Sequence, residues 1–396
     1  MNNFSNIAKV VALSNDGWDL AKENKLLDIS VKHIDNGFLE DSDHHKFINM
    51  CSCSYLGLDV NPHIVNMASE TLLSEGSVSL AVSRLRIRLS VLDRAEEGLT
   101  NLFDAKAFLT SSCSSATEGL LPLLASGVLT QGQRPLMIFD KFAHFSMNIT
   151  KPICADETEV ITCPHNDLNF IEDICKNNKN VAYVGDGTYS TGGVAPIKEL
   201  LELQDKYGLF LYLDDAHSIS VYGKKGRGYI RSNVDEVNNR TIIVASLGKA
   251  FGASGGIILL NKNIDHSLVE RFGGPLGWSL GTNTATIGGV LGSIDVHNSK
   301  LLEELQIALK ERLNYFDKRI ETPFSGSISA IRMVPLVSRE EALKCSKFLL
   351  KEGFYSTPLF FPIVPKDKPG LRIMLRADVN MEDIKRFCDL VVNLKK

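Results

Sequence analysis

Val244-Ala245-Ser246-Leu247-Gly248-Lys249-Ala250-Phe251-Gly252-Ala253-Ser254-Gly255-Gly256 follows the β-branched run Thr241-Ile242-Ile243. A lysine just beyond a buried strand and among small residues needs a group that pairs or reacts with it, because an isolated ammonium is costly to remove from water. The surrounding sequence supplies both the strand context and the candidate partners.

Working outward, short apolar runs at Ala107 to Thr110, Leu136 to Phe139, Val160 to Thr162, Val181 to Val184, Phe210 to Leu213, Thr241 to Ala245 and Ile257 to Leu260 read as seven strands. Helical patterns lie between several of them, as in Ile197 to Tyr207, where apolar residues recur at three- and four-residue spacing. Alternation of this kind predicts an α/β fold, with a mostly parallel sheet covered by helices on both faces. Ligands bind such sheets beyond the carboxyl ends of the strands. After about Gly289 the pattern changes to a long amphipathic helix, Ser299 to Phe316. Helices near Arg339 to Lys351 and Met381 to Leu394 follow, with a strand at Leu371 to Leu375 between them. The expected organisation is an N-terminal segment 1–50, a large domain 51–288 and a smaller α+β C-terminal domain 289–396.

A chain of 396 residues exceeds what one hydrophobic core usually supports, in keeping with two domains. With 44% apolar and 23% charged residues it reads as an ordinary globular protein, and a net charge of −4 argues against nucleic acid as a partner. The eight cysteines show no paired C-x-x-C spacing suited to a metal, so free thiols and a cytoplasmic location are expected. The N-terminus lacks a signal-peptide pattern, and no apolar run has the length of a membrane span, so no membrane insertion is expected.

Polar residues cluster at strand ends. Phe210-Leu211-Tyr212-Leu213 leads into Asp214-Asp215-Ala216-His217. By itself this could be a turn in which aspartate caps backbone amides. Beside Lys249 it acquires a second meaning: a lysine amine forms Schiff bases with carbonyls, and pyridoxal phosphate enzymes pair such a lysine with an aspartate at the pyridine nitrogen. Asp214 suits that position and His217 could bond the ring hydroxyl. Ser111 to Thr117 lies between a strand and a helical pattern, where free backbone N–H groups and serine hydroxyls suit a phosphate or simply cap the helix. Ser246 is a further candidate donor to the phosphate. His144, just past the Leu136 to Phe139 strand, could stack on a flat ring or be a structural histidine.

The sequence resembles the α-oxoamine synthase family of fold-type I pyridoxal phosphate enzymes. The likeness runs in order through Tyr55-Leu56-Gly57, Ser83-Arg84, Ser111 to Cys113, Asp140 with His144, His165-Asn166-Asp167, Gly187 to Pro196, Asp214 to Ser218, Ser246 to Gly256 and Leu371-Arg372-Ile373. The resemblance implies pyridoxal 5'-phosphate on Lys249, with Asp214 at the ring nitrogen, His217 at the ring hydroxyl and His144 stacked on the ring. Ser112, Cys113, Ser114, Ser190, Ser246 and Ser279 are the other implied cofactor contacts. Arg372 matches the arginine that grips the amino acid carboxylate, and Tyr55 and Arg84 are further substrate candidates. No metal is implied. The implied reaction joins an amino acid to an acyl thioester, on coenzyme A or an acyl-carrier protein, with loss of CO₂ to give an α-aminoketone. The implied assembly is a homodimer with shared active sites. The glycines around Lys249 are expected to let the flat cofactor approach the backbone.

Several positions depart from the family pattern. Cys53 and Ser54 stand where an asparagine is usual, and the segment Gly76 to Val82 is bulkier than the usual glycine-rich run. Gly277-Trp278-Ser279-Leu280 replaces a phenylalanine-serine-threonine segment. Arg84, Arg86 and Arg88 alternate, so an extended segment would present all three on one face, either to phosphates of the thioester donor or to Asp93, Glu96 and Glu97. These departures suggest a specialised synthase that makes a signalling or secondary-metabolite aminoketone. The alternatives are another fold-type I activity (aminotransferase, aldolase or lyase) and a non-catalytic subunit, a kind that lacks the lysine.

Overall fold

The computed structural model describes residues 4, 7–34 and 37–394. It divides into two compact units. One comprises Leu58–Tyr189 and Val194–Glu303; the other comprises the segment ending at Gly57, Ser190–Gly193 and the chain from Glu304 onward. The division falls inside the helix Lys300–Arg319, and residues up to Gly57 belong with the C-terminal unit. The expected boundary at 288/289 lies inside another helix, Thr284–His297.

The first unit is built on a seven-stranded sheet of β1 (Lys106–Thr110), β2 (Leu136–Asp140), β3 (Val160–Cys163), β4 (Val181–Asp186), β5 (Phe210–Asp214), β6 (Thr241–Ser246) and β7 (Gly256–Leu260). Their spatial order is β1-β7-β6-β5-β4-β2-β3. Strands β2 to β6 pair in parallel, whereas β7 runs antiparallel to both β1 and β6. All seven expected strands are present, each within two residues of the expected ends.

The apolar runs are continuous because both faces of the sheet are covered. Side chains alternate between two cores: Leu211, Leu213, Ile243 and Ala245 enter one, and Phe210, Tyr212, Ile242 and Val244 enter the other. After β2 the chain moves outward to β3 and returns on the other side of β2 to form β4. The carboxyl ends of β2 and β4 therefore flank the crevice where open α/β sheets bind ligands.

The second unit carries a three-stranded antiparallel sheet of β8 (Ile331–Pro335), β9 (Thr357–Leu359) and β10 (Gly370–Met374), with β10 in the middle. It also holds a four-stranded sheet in which Val31–His33, Phe38–Asp41 and Lys46–Asn49 are joined by Phe354–Tyr355. The expected helices Arg339–Lys351 and Met381–Leu394 are both present. Among the described residues no helix is long and apolar enough to cross a membrane.

Candidate active site

Four segments of the first unit bring the chemistry together. The first is the end of β5. Asp214 is its last residue and is buried, with Oδ1 accepting from the Ala216 backbone N–H at 2.8 Å. His217 is buried three residues on. The second is the turn after β6, where Lys249 is half-buried and its Nζ lies 2.9 Å from His217 Nε2. Histidine and lysine thus meet at the carboxyl ends of adjacent parallel strands, one of which ends in Asp214.

The third segment is the start of the helix Cys113–Ala125. Ser112 is its N-cap, with Oγ accepting from the Ser115 N–H at 3.0 Å, while Ser115 Oγ accepts from the Ser112 N–H at 3.0 Å. Cys113 turns its thiol to Asp214, Sγ to Oδ2 at 3.4 Å. Burial first, and the Asp214 charge second, push this thiol well above its ordinary pKa. Ser246, the last residue of β6, accepts the Gly248 N–H on Oγ at 3.3 Å.

The fourth segment follows β2. His144 caps the short helix Phe145–Asn148, with Nδ1 2.9 Å from Ser146 Oγ, and its backbone N–H donates to Asp186 Oδ2 at 2.9 Å. Asp186 is a buried residue that the sequence reading missed. It ends β4 and pairs in register with Asp214. The signal was a repetition: β2, β4 and β5 each end in aspartate, at Asp140, Asp186 and Asp214. Asp140 accepts from His165 Nδ1, the Asn166 N–H, the Phe142 N–H and Tyr183 O–H, at 2.7 to 3.3 Å. Burial works to raise its pKa, but these bonds, led by His165, prevail and hold it below the ordinary value.

The glycines past Lys249 bring backbone against backbone and side chain. A Cβ on Gly256 would lie 2.3 Å from Ser112 C and 2.4 Å from Cys113 N, so the backbone of β7 presses directly on the start of the Cys113–Ala125 helix. Gly252, at φ +76°, leaves only 2.4 Å between such a Cβ and Leu58 Cβ. They serve contact of backbone with the protein itself. Among the glycines from 248 to 256, Gly248, whose nearest neighbour to a Cβ is Ser246 Oγ at 3.6 Å, has room beside it.

The arginine alternation is also corrected. Ser83 to Arg86 form a turn closed by Arg86 N–H on Ser83 O at 3.0 Å, so the three side chains share no extended face. Arg84 forms a two-pronged pair with Glu96, both contacts 2.8 Å, and Arg88 pairs with Asp93 at 2.6 Å. Ser279 follows the short helix Pro275–Trp278 and is exposed. Ser114 lies in the first turn of the Cys113–Ala125 helix and is half-buried.

The second unit holds the remaining candidates. Arg372 sits in β10, opposite Met333 and Thr357 on its two neighbours. Its Nη1 donates to Ser190 O at 3.3 Å, and its Nε is buried with no hydrogen-bond partner. Tyr55 is fully buried at φ +51°, and burial drives its phenol well above the ordinary value. Cys51 is pushed up to about 11 by burial, against the opposing pull of Thr357 and Arg372. Cys53 Sγ lies 3.6 Å from Met374 Sδ.

Comparison with known proteins agrees with this architecture. Residues 47–391 match the family model described as aminotransferase class I and II. The chain is 28% identical to a serine palmitoyltransferase of Bacteriovorax stolpii over 89% of its own length and 83% of the relative's. It is 27% identical to an 8-amino-7-oxononanoate synthase of Symbiobacterium thermophilum, over 86% of each chain. Among solved structures, a serine palmitoyltransferase from S. paucimobilis with PLP and myriocin bound superimposes with a TM-score of 0.84 at 20% identity, covering 98% of both chains. An 8-amino-7-oxononanoate synthase from Francisella tularensis gives 0.70 at 20% identity, covering 88% of this chain and 97% of that one. The fold is therefore shared with these enzymes, and the chain belongs to the aminotransferase class I and II family, the fold-type I enzymes that work with pyridoxal 5'-phosphate.

Proposed function

We propose that this chain is an α-oxoamine synthase, which joins an amino acid to an acyl thioester with release of CO₂ and leaves an α-aminoketone. The observation that carries the reading is the Lys249 amine 2.9 Å from His217 Nε2, at the ends of the strands that also deliver Asp214. Relatives that include both a serine palmitoyltransferase and 8-amino-7-oxononanoate synthases support the acyl-condensing chemistry.

The residues present fit pyridoxal phosphate. A buried carboxylate, an imidazole and a lysine amine converge, and the N-terminus of a 13-residue helix with serines at its cap and first turn lies beside them, joined through the Cys113 to Asp214 contact. When bound, the cofactor supplies an electron sink for the pair of electrons left as a bond to the substrate α-carbon breaks. Asp214 holds a negative charge where a protonated ring nitrogen needs one. His217 orients the ring hydroxyl, and His144 offers a flat ring to stack. Ser112, Ser114, Ser246 and the backbone of Cys113 take the phosphate. Lys249 is the attachment point, and its amine moves the α-proton as a general base. Arg372 takes the amino acid carboxylate; the buried, unpartnered Nε supports this, because a guanidinium retains donor capacity there.

Three finer readings complete the proposal. The enzyme works as a homodimer, in support of which Phe145, Phe272, Trp278 and Leu280 are exposed large apolar side chains on the first unit. It resides in the cytoplasm and serves a signalling or secondary-metabolite route; the eight free cysteines support the former, and Trp278 and Cys53 at departures from the family pattern support the latter. Incubation with mixed amino acids and acyl thioesters, on coenzyme A and on carrier protein, followed by thiol detection and product mass spectrometry, tests the function. The expected result is free thiol in step with an α-aminoketone. Pyridoxamine phosphate formation or C–C cleavage without thiol release would make it another fold-type I enzyme. Efficient turnover of pimeloyl thioester with alanine would reject the specialised role.

A further inference from the structure

Asp140, Asp186 and Asp214 end three strands of one sheet, and all three are buried, yet their surroundings differ. Among the described residues Asp140 has four hydrogen-bond donors. Asp214 has two among them, the Ala216 N–H and the Cys113 thiol. Asp186 receives one among the described residues, the His144 backbone N–H at 2.9 Å. Asp186 and Asp214 are register partners on adjacent parallel strands, so their side chains leave the sheet on the same face. Neighbouring carboxyls in a water-poor site do not both ionise, and the one with fewer donors keeps the proton.

We propose that Asp186 is a neutral carboxyl and a positioning residue, whose Oδ2 anchors the backbone of His144 and whose proton leaves the pair's negative charge to Asp214. The titratable groups whose charge bears on Asp186 are Asp140 on β2, Tyr189 after β4, Asp214 on β5, Lys249 after β6 and Cys113 at the helix start, and Asp215 and Tyr212 bear on Asp214 in turn. Burial is the largest influence on Asp186 and Asp214 the next; both favour its neutral form against the opposing pull of the His144 N–H and Lys249. A neutral neighbour matters to the reaction because a second charge would compete with Asp214 for the cofactor's ring proton. This consequence rests on the proposed function; the protonation state does not.

Infrared spectroscopy of the cofactor-free protein with isotope-labelled aspartate reads the proton directly. At pH 7 the wild type should show a carboxylic-acid C=O band that is lost in Asp186→Asn, and in Asp214→Asn this band should disappear at a lower pH. Asp215, which burial pushes up to about 8, contributes an acid band of its own, so the assignment comes from the difference between variants. In pyridoxal phosphate titrations, Asp186→Ala should weaken binding about tenfold, the effect of one lost anchoring bond, and Asp186→Asn, which keeps an acceptor for His144, should rescue it. An unchanged acid band in Asp186→Asn overturns the proposal, as does an asparagine variant as impaired as the alanine one. A wild type that takes up no pyridoxal phosphate defeats the proposed function instead, and the infrared band still decides the protonation.

Discussion

Lys249 Nζ and His217 Nε2 stand 2.9 Å apart although 32 positions separate them in the chain. The parallel pairing of β5 with β6 produces this, since Asp214 aligns with Val244 and both turns then leave the sheet at the same end. A lysine amine beside an imidazole nitrogen puts two basic nitrogens on one hydrogen bond, a path along which a proton passes between them. The isolated lysine of the sequence is thus supplied with a partner by topology.

Removal of the amine should abolish the chemistry. Lys249→Ala should lower thiol release by on the order of a thousandfold, since both covalent attachment and the general base are lost. Borohydride reduction in the presence of pyridoxal phosphate should tag the Lys249 peptide of the wild type and leave the variant unlabelled. A variant that keeps more than a tenth of wild-type turnover would overturn the assigned role.

The thiol on Asp214 makes a second, cofactor-free probe. Because burial and the Asp214 charge hold the Cys113 pKa high, Cys113 should be alkylated at pH 8 far more slowly in the folded protein than in urea. Asp214→Asn removes the charge and should speed the folded-state reaction. Peptide mapping after a timed iodoacetamide pulse checks both, and faster labelling of Cys113 in the native wild type would contradict the contact.

The legible parts of this molecule were those with continuous burial. Ile197–Tyr207 and Arg339–Lys351 begin and end as the sequence predicts, because a one-sided apolar stripe bounded by Gly208 or capped by Ser338 is local information. Lys249, Asp214, His217 and His144 could be placed because each follows a buried strand. The exposed strand Val31–His33 escaped notice, as did Lys46–Asn49, which pairs with Phe354–Tyr355 some 300 residues on. Their ordering depends on partners no local window contains. Asp186 escapes the sequence pattern for another reason: the apolar run stops at Val184, two residues before the strand does, so its carboxylate lies outside the run.

Arg84 offers a test of structure against resemblance. Glu96 is buried, accepts the Leu109 N–H at 2.8 Å and takes both prongs of Arg84. Arg84→Ala leaves that carboxylate buried without its cation and should lower unfolding stability by ~3 kcal/mol. Urea unfolding measures it. A change within ~0.5 kcal/mol, the usual span of surface substitutions, together with a raised KM for the thioester would return Arg84 to the substrate.

His297 sets a pH limit on the fold. Its ring is buried and stacked 4.5 Å from Phe251, two residues past Lys249, with Nδ1 donating to Ser293 O at 2.7 Å and Nε2 accepting from Ser220 Oγ at 2.8 Å. Both nitrogens are engaged by the neutral tautomer, and a proton on Nε2 would turn the Ser220 hydroxyl from donor to acceptor. Burial pushes the pKa down to about 4, from an unfolded value near 6.5. Between those values the unfolded chain binds the extra proton and the folded one does not, so stability rises with pH across this window. The contribution is complete above about pH 6.5 and is lost as pH falls through 4, on the order of 3 kcal/mol in all. Urea midpoints taken from pH 4 to 7 should therefore climb more steeply in the wild type than in His297→Gln, which carries no titrating ring. Parallel slopes for the two proteins would mean that the folded imidazole accepts its proton as readily as the unfolded one, against the effect of its burial.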